Sequence, residues 1–426
     1  MSTTAQNAVD LSLKRRYARE RRFRAYGFAA VMVGIVFLVA FFATVIKNGV
    51  SAFQQTELVL PVSISAADVD PKGDRSRESL ASGDYEIVIR DALSRLFIDV
   101  RSRQDRRAVS ALASFESSFA LREAVLADPT LVGTQIELRV PASADIDMLM
   151  KGNIDRSVDE VQRTVSDRQI AWVDELKQLN RIYLRFNAAF FSNGDSRDPE
   201  LAGIRGAVMG SFYMLLVTVA FAFPVGVAAA VYLEEFAPRN RWTDLIEVNI
   251  NNLAAVPSIV YGLLGLAVFI NWMSLPRSAP VVGGLVLALI TLPVVIIAAR
   301  AAIKAVPPSI RDAALAVGAS QVQTVFQHVV PLALPGILTG TIIGMARALG
   351  ETAPLLMIGM VAFIVDVPNG PLEPATALPV QVYLWADSPE RAFVERTSAA
   401  IIVLLGFLLL MNLAAVLLRR RFERTW

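Results

Sequence analysis

Long runs without a charged side chain constrain this sequence more than any other feature. An α-helix needs about 20 apolar residues to cross the roughly 30 Å hydrocarbon core of a bilayer. Uncharged runs of that length are Ala25–Ile46, Gly206–Leu233, Val248–Pro276, Ser278–Ala299 and Thr397–Leu418. A sixth, Ala313–Ala346, is too long for one span and polar in its first half, so its span is expected from Gly336 to near Val365. The expected fold is an all-α polytopic membrane protein with six transmembrane helices. Composition agrees, because 54% of the residues are hydrophobic and only 19% are charged, too few charges for a soluble enzyme of this length. With no cysteine and one histidine, His328, the chain has neither a thiolate metal site nor the means for a hydrolytic triad. A net charge of +2 gives no reason to expect a nucleic-acid partner.

Lysine and arginine set the orientation. The arm at residues 1–24 contains "LKRRYARERRFR", and the tail after the last span reads "RRRFERTW". With six spans both ends share one side, and their basic character makes that side cytoplasmic. The loops carrying Arg239 and Arg241, and Arg300, Lys304 and Arg311, fall on the same side. The first span, 25–46, is expected to be an uncleaved anchor, since its apolar stretch exceeds a typical signal sequence. The segment 47–203 is polar and charge-rich and is placed outside as a soluble insert. "YEIVIRDALSRLF" and "VDELKQLNRIYLRF" repeat apolar residues at three and four, so the insert is expected to be mainly helical. It is either a docking or sensing domain or a spacer over the outer mouth.

Ala305 to Gly336 reads "AVPPSIRDAALAVGASQVQTVFQHVVPLALPG". Two short helices fit it, one capped by Ser309 and ended by Gly318, the next capped by Ser320 with Gln323 and stopping before Pro331. Val322, Val325, Phe326 and Val329 would form one apolar side of the second helix. This helix–Gly–helix elbow, at about 305–335, suits contact with a partner.

Between Asp312 and Asp366 the only charged residues are Arg347 and Glu351. A span starting at Gly336 carries Arg347 roughly 16 Å along its axis, near mid-bilayer. Gly336, Gly340 and Gly344 form a small-residue ridge beside the pair, which lets another helix approach closely. Charge at this depth costs at least about 2.5–3.5 kcal/mol. Either Arg347 and Glu351 neutralise each other inside the bundle, or Arg347 presents a forked donor to an anion while Glu351 holds it ready. Arg300, at the inner end of the fourth span, is a second candidate cation, and equally an ordinary basic flank.

Two stretches resemble a known family. "DAALAVGASQVQTVFQHVVP" is similar to the cytoplasmic signature of ABC importer permeases at Asp312, Ala313, Ala314, Gly318 and Pro331. Asp stands where Glu is more usual, and His328 and Val330 occupy positions often taken by Ile and Leu. "ARALGETAPLL" and "NLAAVPSIVYGLLGL" resemble the phosphate-specific permeases, nearer the PstA-type subunit than the PstC-type. The resemblance covers about Leu201 onward and leaves out the insert. It implies a type I (MetI-like) permease core over 204–426, in a multi-pass bacterial inner-membrane protein. It further implies a coupling elbow seated on an ATPase, and it makes phosphate, rather than sulfate, the anion expected along the pathway of Arg347, Glu351 and Arg300. The implied partners are a PstC-type permease, two copies of a PstB-type ATPase that use ATP and Mg, an external PstS-type phosphate-binding protein, and membrane lipid. The chain itself would be no enzyme and need no cofactor, and it contains no Gly-x-x-x-x-Gly-Lys-[Ser/Thr] loop for ATP phosphates. The rival expectations are a permease for sulfate or a polyamine, and a membrane sensor.

Overall fold

The computed structural model describes residues 3–97, 100 and 102–422. Residues 1–2 of the basic arm and 423–426 of the tail lie outside the described residues. Among the described residues five helices are long and apolar enough to cross a membrane, six if one bent pair counts as a single span. Helix α1 (Thr3–Gly49) runs without interruption from the basic arm through the first span. Its end meets the last helix of the chain, where a Cβ on Gly49 would lie 2.8 Å from Ile402 Cδ1.

The insert is mainly helical, as its periodicity suggests, but its helices are built on a sheet that the periodicity did not announce. Strand β1 (Gln54–Ser63) lies between β2 (Gln135–Pro141) and β3 (Ile182–Phe186), antiparallel to both. Leu58, Leu60 and Val62 alternate onto one buried face. Helices α2 (Tyr85–Leu96), α3 (Glu116–Ala127), α4 (Ala144–Met150) and α5 (Asp167–Gln178) supply Leu93, Leu121, Ile146 and Leu176 to the same core. The stretch "VDELKQLNRIYLRF" is therefore not one helix. Asn180 takes a left-handed φ of +53° just past α5, which ends a helix, and Ile182–Phe186 continue as β3. Pro61 is tolerated within the central strand because β3 pairs only as far as Leu58. Val59 N–H donates to Arg181 O on that side at 2.8 Å, so the donor missing two residues later faces beyond the end of β3.

The second half is a helical bundle. Helix α6 (Arg205–Val231) continues through one wide turn, Tyr232–Phe236. Helices α7 (Arg241–Ala254) and α8 (Ser258–Gly265, prolonged by a wide turn to Trp272) meet at 100°. The expected straight span Val248–Pro276 is thus a bent pair. Pro257 has no N–H to give to Leu253 O, and Tyr261 Oη donates to that carbonyl instead, at 2.8 Å. Helix α9 (Pro280–Lys304) forms the centre, and α10 (Pro308–Ala316) is the first helix of the elbow.

The second elbow helix does not stop before Pro331. From Gln321 it runs through a wide turn, Thr324–Val329, straight into α11 (Val330–Leu349). Pro331 has no N–H to give, and it comes just after the wide turn, where the regular hydrogen-bond ladder is already interrupted. The expected fifth span, Gly336–Val365, is also corrected. Helix α11 ends at Leu349, the short α12 (Ala353–Met357) follows a break, and Gly359 at φ +89° closes α12. Helix α13 (Leu378–Ala386) packs on the last helix, α14 (Ala392–Phe422).

Candidate functional site

The charged pair lies at a helix break within the bundle. A Cβ on Gly336 would lie 2.7 Å from Ala302 Cβ, one on Gly340 would overlap the Ala298 methyl, and one on Gly344 would lie 2.9 Å from Thr291 Cγ2. The glycine ridge of α11 therefore faces α9 of the same chain, antiparallel and nearly in backbone contact. Thr291 is eleven residues into the 25-residue α9, roughly 16 Å along its axis. Arg347 follows Gly344 by three residues, so it occupies the last turn of its own helix yet lies level with the middle of α9. It was expected well inside a span running from Gly336 to near Val365, and it lies instead within three residues of a helix end.

Glu351 falls beyond the helix end. Its N–H still donates to Ala348 O at 3.1 Å, and Gly350 N–H to Arg347 O at 3.1 Å, before α12 begins. The two side chains make one loose contact, Arg347 Nε to Glu351 Oε1 at 3.7 Å. The Arg347 side chain is 59% exposed and Glu351 19%, so the guanidinium is not sealed in the bundle by its neighbour. Non-helical backbone at this depth is tolerated only inside protein or along a water-filled cavity.

The second break, at the bend between α7 and α8, lies against the first. A Cβ on Gly262 would come within 2.7 Å of Pro354 Cα, and Gly265 is similarly filled by Val286. Leu355 and Ile358 join Tyr261 and Val286 in one core. The motifs "NLAAVPSIVYGLLGL" and "ARALGETAPLL" are thus two helix breaks packed together. Paired discontinuous helices are a recurring way of building a solute site at mid-membrane.

Arg300 belongs elsewhere. Its Nε is 2.5 Å from Glu234 Oε1 and its Nη2 is 2.5 Å from Glu247 Oε1, with the side chain 12% exposed. Lys304 Nζ adds a 3.3 Å contact to Glu234. Arg300, expected as a second candidate cation, is not brought to the helix breaks, and its fork is occupied by two carboxylates. Sequence reasoning weighed only the basic residues near the spans and so missed Glu234, Glu235 and Glu247. The signal was present in "VYLEEF", two carboxylates directly after an apolar run.

The elbow forms with one change of cap. Pro307, not Ser309, precedes α10, and no side chain caps it. Gly318 has φ +90°, and Ser320 with Gln323 makes both capping-box hydrogen bonds. Asp312, Ala313 and Gly318 are exposed, whereas Ala314 is buried. Val325 and Val329 are buried while Val322 and Phe326 are exposed beside Leu315 and Val317, so the expected single apolar side is split between the bundle and the surface. Arg311 anchors the elbow. Its Nη2 and Nε reach Glu235 at 2.6 and 3.1 Å, and its remaining donors reach Val306 O and Ile303 O. Gln321 Nε2 donates to Glu235 O at 2.7 Å.

Comparison with known proteins matches two separate stretches of the chain. Residues 222–424 match the family described as "Binding-protein-dependent transport system inner membrane component", and residues 10–160 match "Domain of unknown function (DUF3333)". The phosphate transport system permease protein PstA 1 of Mycobacterium tuberculosis is 34% identical over 219 residues, covering 51% of this chain and 70% of that one. The probable ABC transporter permease protein YqgI of Bacillus subtilis is 38% identical over 168 residues, 39% of this chain and 56% of that one. A solved structure of the MetNI methionine ABC transporter in an inward-facing conformation aligns at TM-score 0.43 and 19% identity, over 51% of this chain and 95% of that one.

Proposed function

This chain belongs to the family of binding-protein-dependent transport system inner membrane components, and from that premise we propose that it is one permease subunit of an ATP-driven phosphate importer. One observation carries the site: Arg347, more than half exposed, stands at a helix break level with the middle of α9. Its planar fork suits two phosphate oxygens, a geometry that Lys cannot copy. Glu351, 3.7 Å away, steadies the fork or accepts a hydrogen bond from the P–OH of monoprotonated phosphate. The choice of phosphate over other anions rests on the relatives named PstA.

The partners in this reading are a second, PstC-type permease subunit facing the breaks, two PstB-type ATPase copies under the elbow, and a PstS-type binding protein at the insert end. ATP and Mg act on the ATPase. The exposed Leu315, Val317, Val322 and Phe326 provide an apolar surface for that ATPase. The elbow end, which carries Arg300, Lys304 and Arg311, is cytoplasmic, together with both termini.

The test is labelled phosphate uptake in phosphate-starved cells lacking the gene, complemented with wild type or Arg347→Lys, with sulfate uptake alongside. Restoration by wild type but not by the variant, at equal membrane levels, is expected. Full uptake by Arg347→Lys would remove the fork from the pathway, and normal phosphate uptake in the deletion strain without another system would refute the solute.

A further inference from the structure

The acidic turn at the end of α6 joins elements that are distant in sequence. Glu235 takes Arg311 from the first elbow helix, and its carbonyl takes Gln321 from the second. The adjacent Glu234 takes Arg300 and Lys304 from α9. Arg300 then spends its other arm on Glu247 of α7. Helix α7 has little else to hold it to the bundle. Its one buried residue is Ile250, which packs on Leu233 and Ile296. Beyond the bend, α8 carries Gly262 against Pro354 of α12, next to Glu351. An unbroken chain of contacts therefore connects the elbow to both helix breaks, and each ionic joint in it is at least partly shielded from water.

We propose that Glu234, Arg300 and Glu247 are positioning residues that transmit movement of the elbow to the paired helix breaks through α7. The proposal rests on the permease reading above, in that a partner ATPase moves the elbow. Elbow displacement pulls Glu235 and Glu234 through the Arg311 fork. Arg300 passes that displacement to Glu247, and α7 acts as a lever whose far end is the bend at Pro257. A fork is required at Arg300 because one guanidinium must hold two carboxylates on different helices in fixed directions, which a rotating ammonium does not do.

The sequence has no cysteine, so a single reporter can be placed at the exposed break as Ala353→Cys in the full importer complex. The rate of maleimide labelling at that position is measured with and without ATP and Mg, together with ATP hydrolysis, complex yield and phosphate uptake. In the wild-type background the two rates are expected to differ. In Glu247→Gln, and again in Arg300→Lys, that difference should shrink about fivefold, within the range of single-site coupling changes, while ATP hydrolysis and yield hold. An undiminished difference in both variants overturns the relay. So does a parallel fall in yield and hydrolysis with the labelling response intact in the remaining complex, which marks a purely structural role. A wild-type complex without a nucleotide response overturns it as well. If the labelling response behaves as expected but no variant and no wild type moves phosphate, the relay stands and the solute assignment fails.

Discussion

Replacing Gly340 by alanine tests the closest helix contact in the core. The added methyl would overlap that of Ala298, whereas the same change at Gly336 meets Ala302 Cβ at 2.7 Å and at Gly344 meets Thr291 Cγ2 at 2.9 Å. Carbon atoms pack best at about 3.5–4.0 Å, so all three substitutions crowd, with Gly340 the worst. Overpacking costs about 1–3 kcal/mol, and alanine in place of a mid-helix glycine returns up to about 1 kcal/mol of helix propensity. Gly340→Ala should therefore lose about 1–2 kcal/mol net, while the other two fall nearer to zero. The contact predicts its own rescue. Ala298→Gly in the Gly340→Ala background moves one methyl from α9 to α11 and restores the fit, giving a coupling energy of about 1 kcal/mol or more. Thermal unfolding of the purified chain in detergent, across the three single variants and the double-mutant cycle, measures all of this. Equal effects at the three glycines, or strict additivity of Gly340→Ala with Ala298→Gly, would refute the packing argument.

Lys151, 2% exposed, lies 2.6 Å from Asp147 and 2.7 Å from Glu395, joining the insert to the start of α14. Lys151→Met should cost about 3–5 kcal/mol by leaving two carboxylates buried together, read as a lowered unfolding midpoint; a loss under about 1 kcal/mol would argue against a buried pair. Gly318→Val should strain the backbone by about 1–2 kcal/mol, since φ is positive there, although nothing lies within 4 Å. Co-purification with the ATPase should suffer more from Val than from Asn, and equal effects would show that the left-handed conformation is immaterial. Burial pushes the Glu200 carboxyl above its ordinary range, with the Ser114 hydrogen bond acting the other way. Its contribution to stability is then complete below the unfolded-state pKa, about 4.3, and is lost as pH rises through the higher folded-state value. The gain in midpoint of Glu200→Gln over wild type should accordingly grow between about pH 4 and neutrality, and a gain independent of pH would place the cause elsewhere.

What was legible in the sequence is what charge and apolar periodicity encode. Desolvation of charge dictates where spans can lie, so the uncharged runs marked the apolar helices long enough to cross a membrane. Counting charges says nothing about missing backbone donors, however: one break sits inside the uncharged run Val248–Pro276, and the other sits between Arg347 and Glu351 within the expected fifth span. Pro257 in one, and Gly350 with Pro354 in the other, were the readable signs, but a helix can absorb a proline, as α6 does at Pro224 and α9 at Pro293. Only tertiary packing decides which prolines break. The strands escaped for another reason. Pro61 interrupts the most regular alternation in the insert, and the short β3 follows directly on a helix with its own periodicity. The ion pairs of Arg300 escaped because its carboxylate partners come from the turn after α6 and from α7, 66 and 53 residues earlier in the sequence, and spacing along one helix does not reveal such a cluster.

The two devices at the site have opposite mechanical characters. Helices α9 and α11 touch through three glycines with almost no side chain between them, so sliding or tilting one against the other would drive methyl groups into backbone. They must move as one block. The breaks at Pro257 and Gly350 carry fewer helical hydrogen bonds, and α12 is held mainly by α8. Relative motion therefore concentrates at the breaks. Arg347 rides on the block, and Glu351 lies beyond the helix end, in the break. Displacement of α7, α8 and α12 against α9 and α11 changes the distance between the two charges, and the loose 3.7 Å contact is the one ionic link that such a motion would open first.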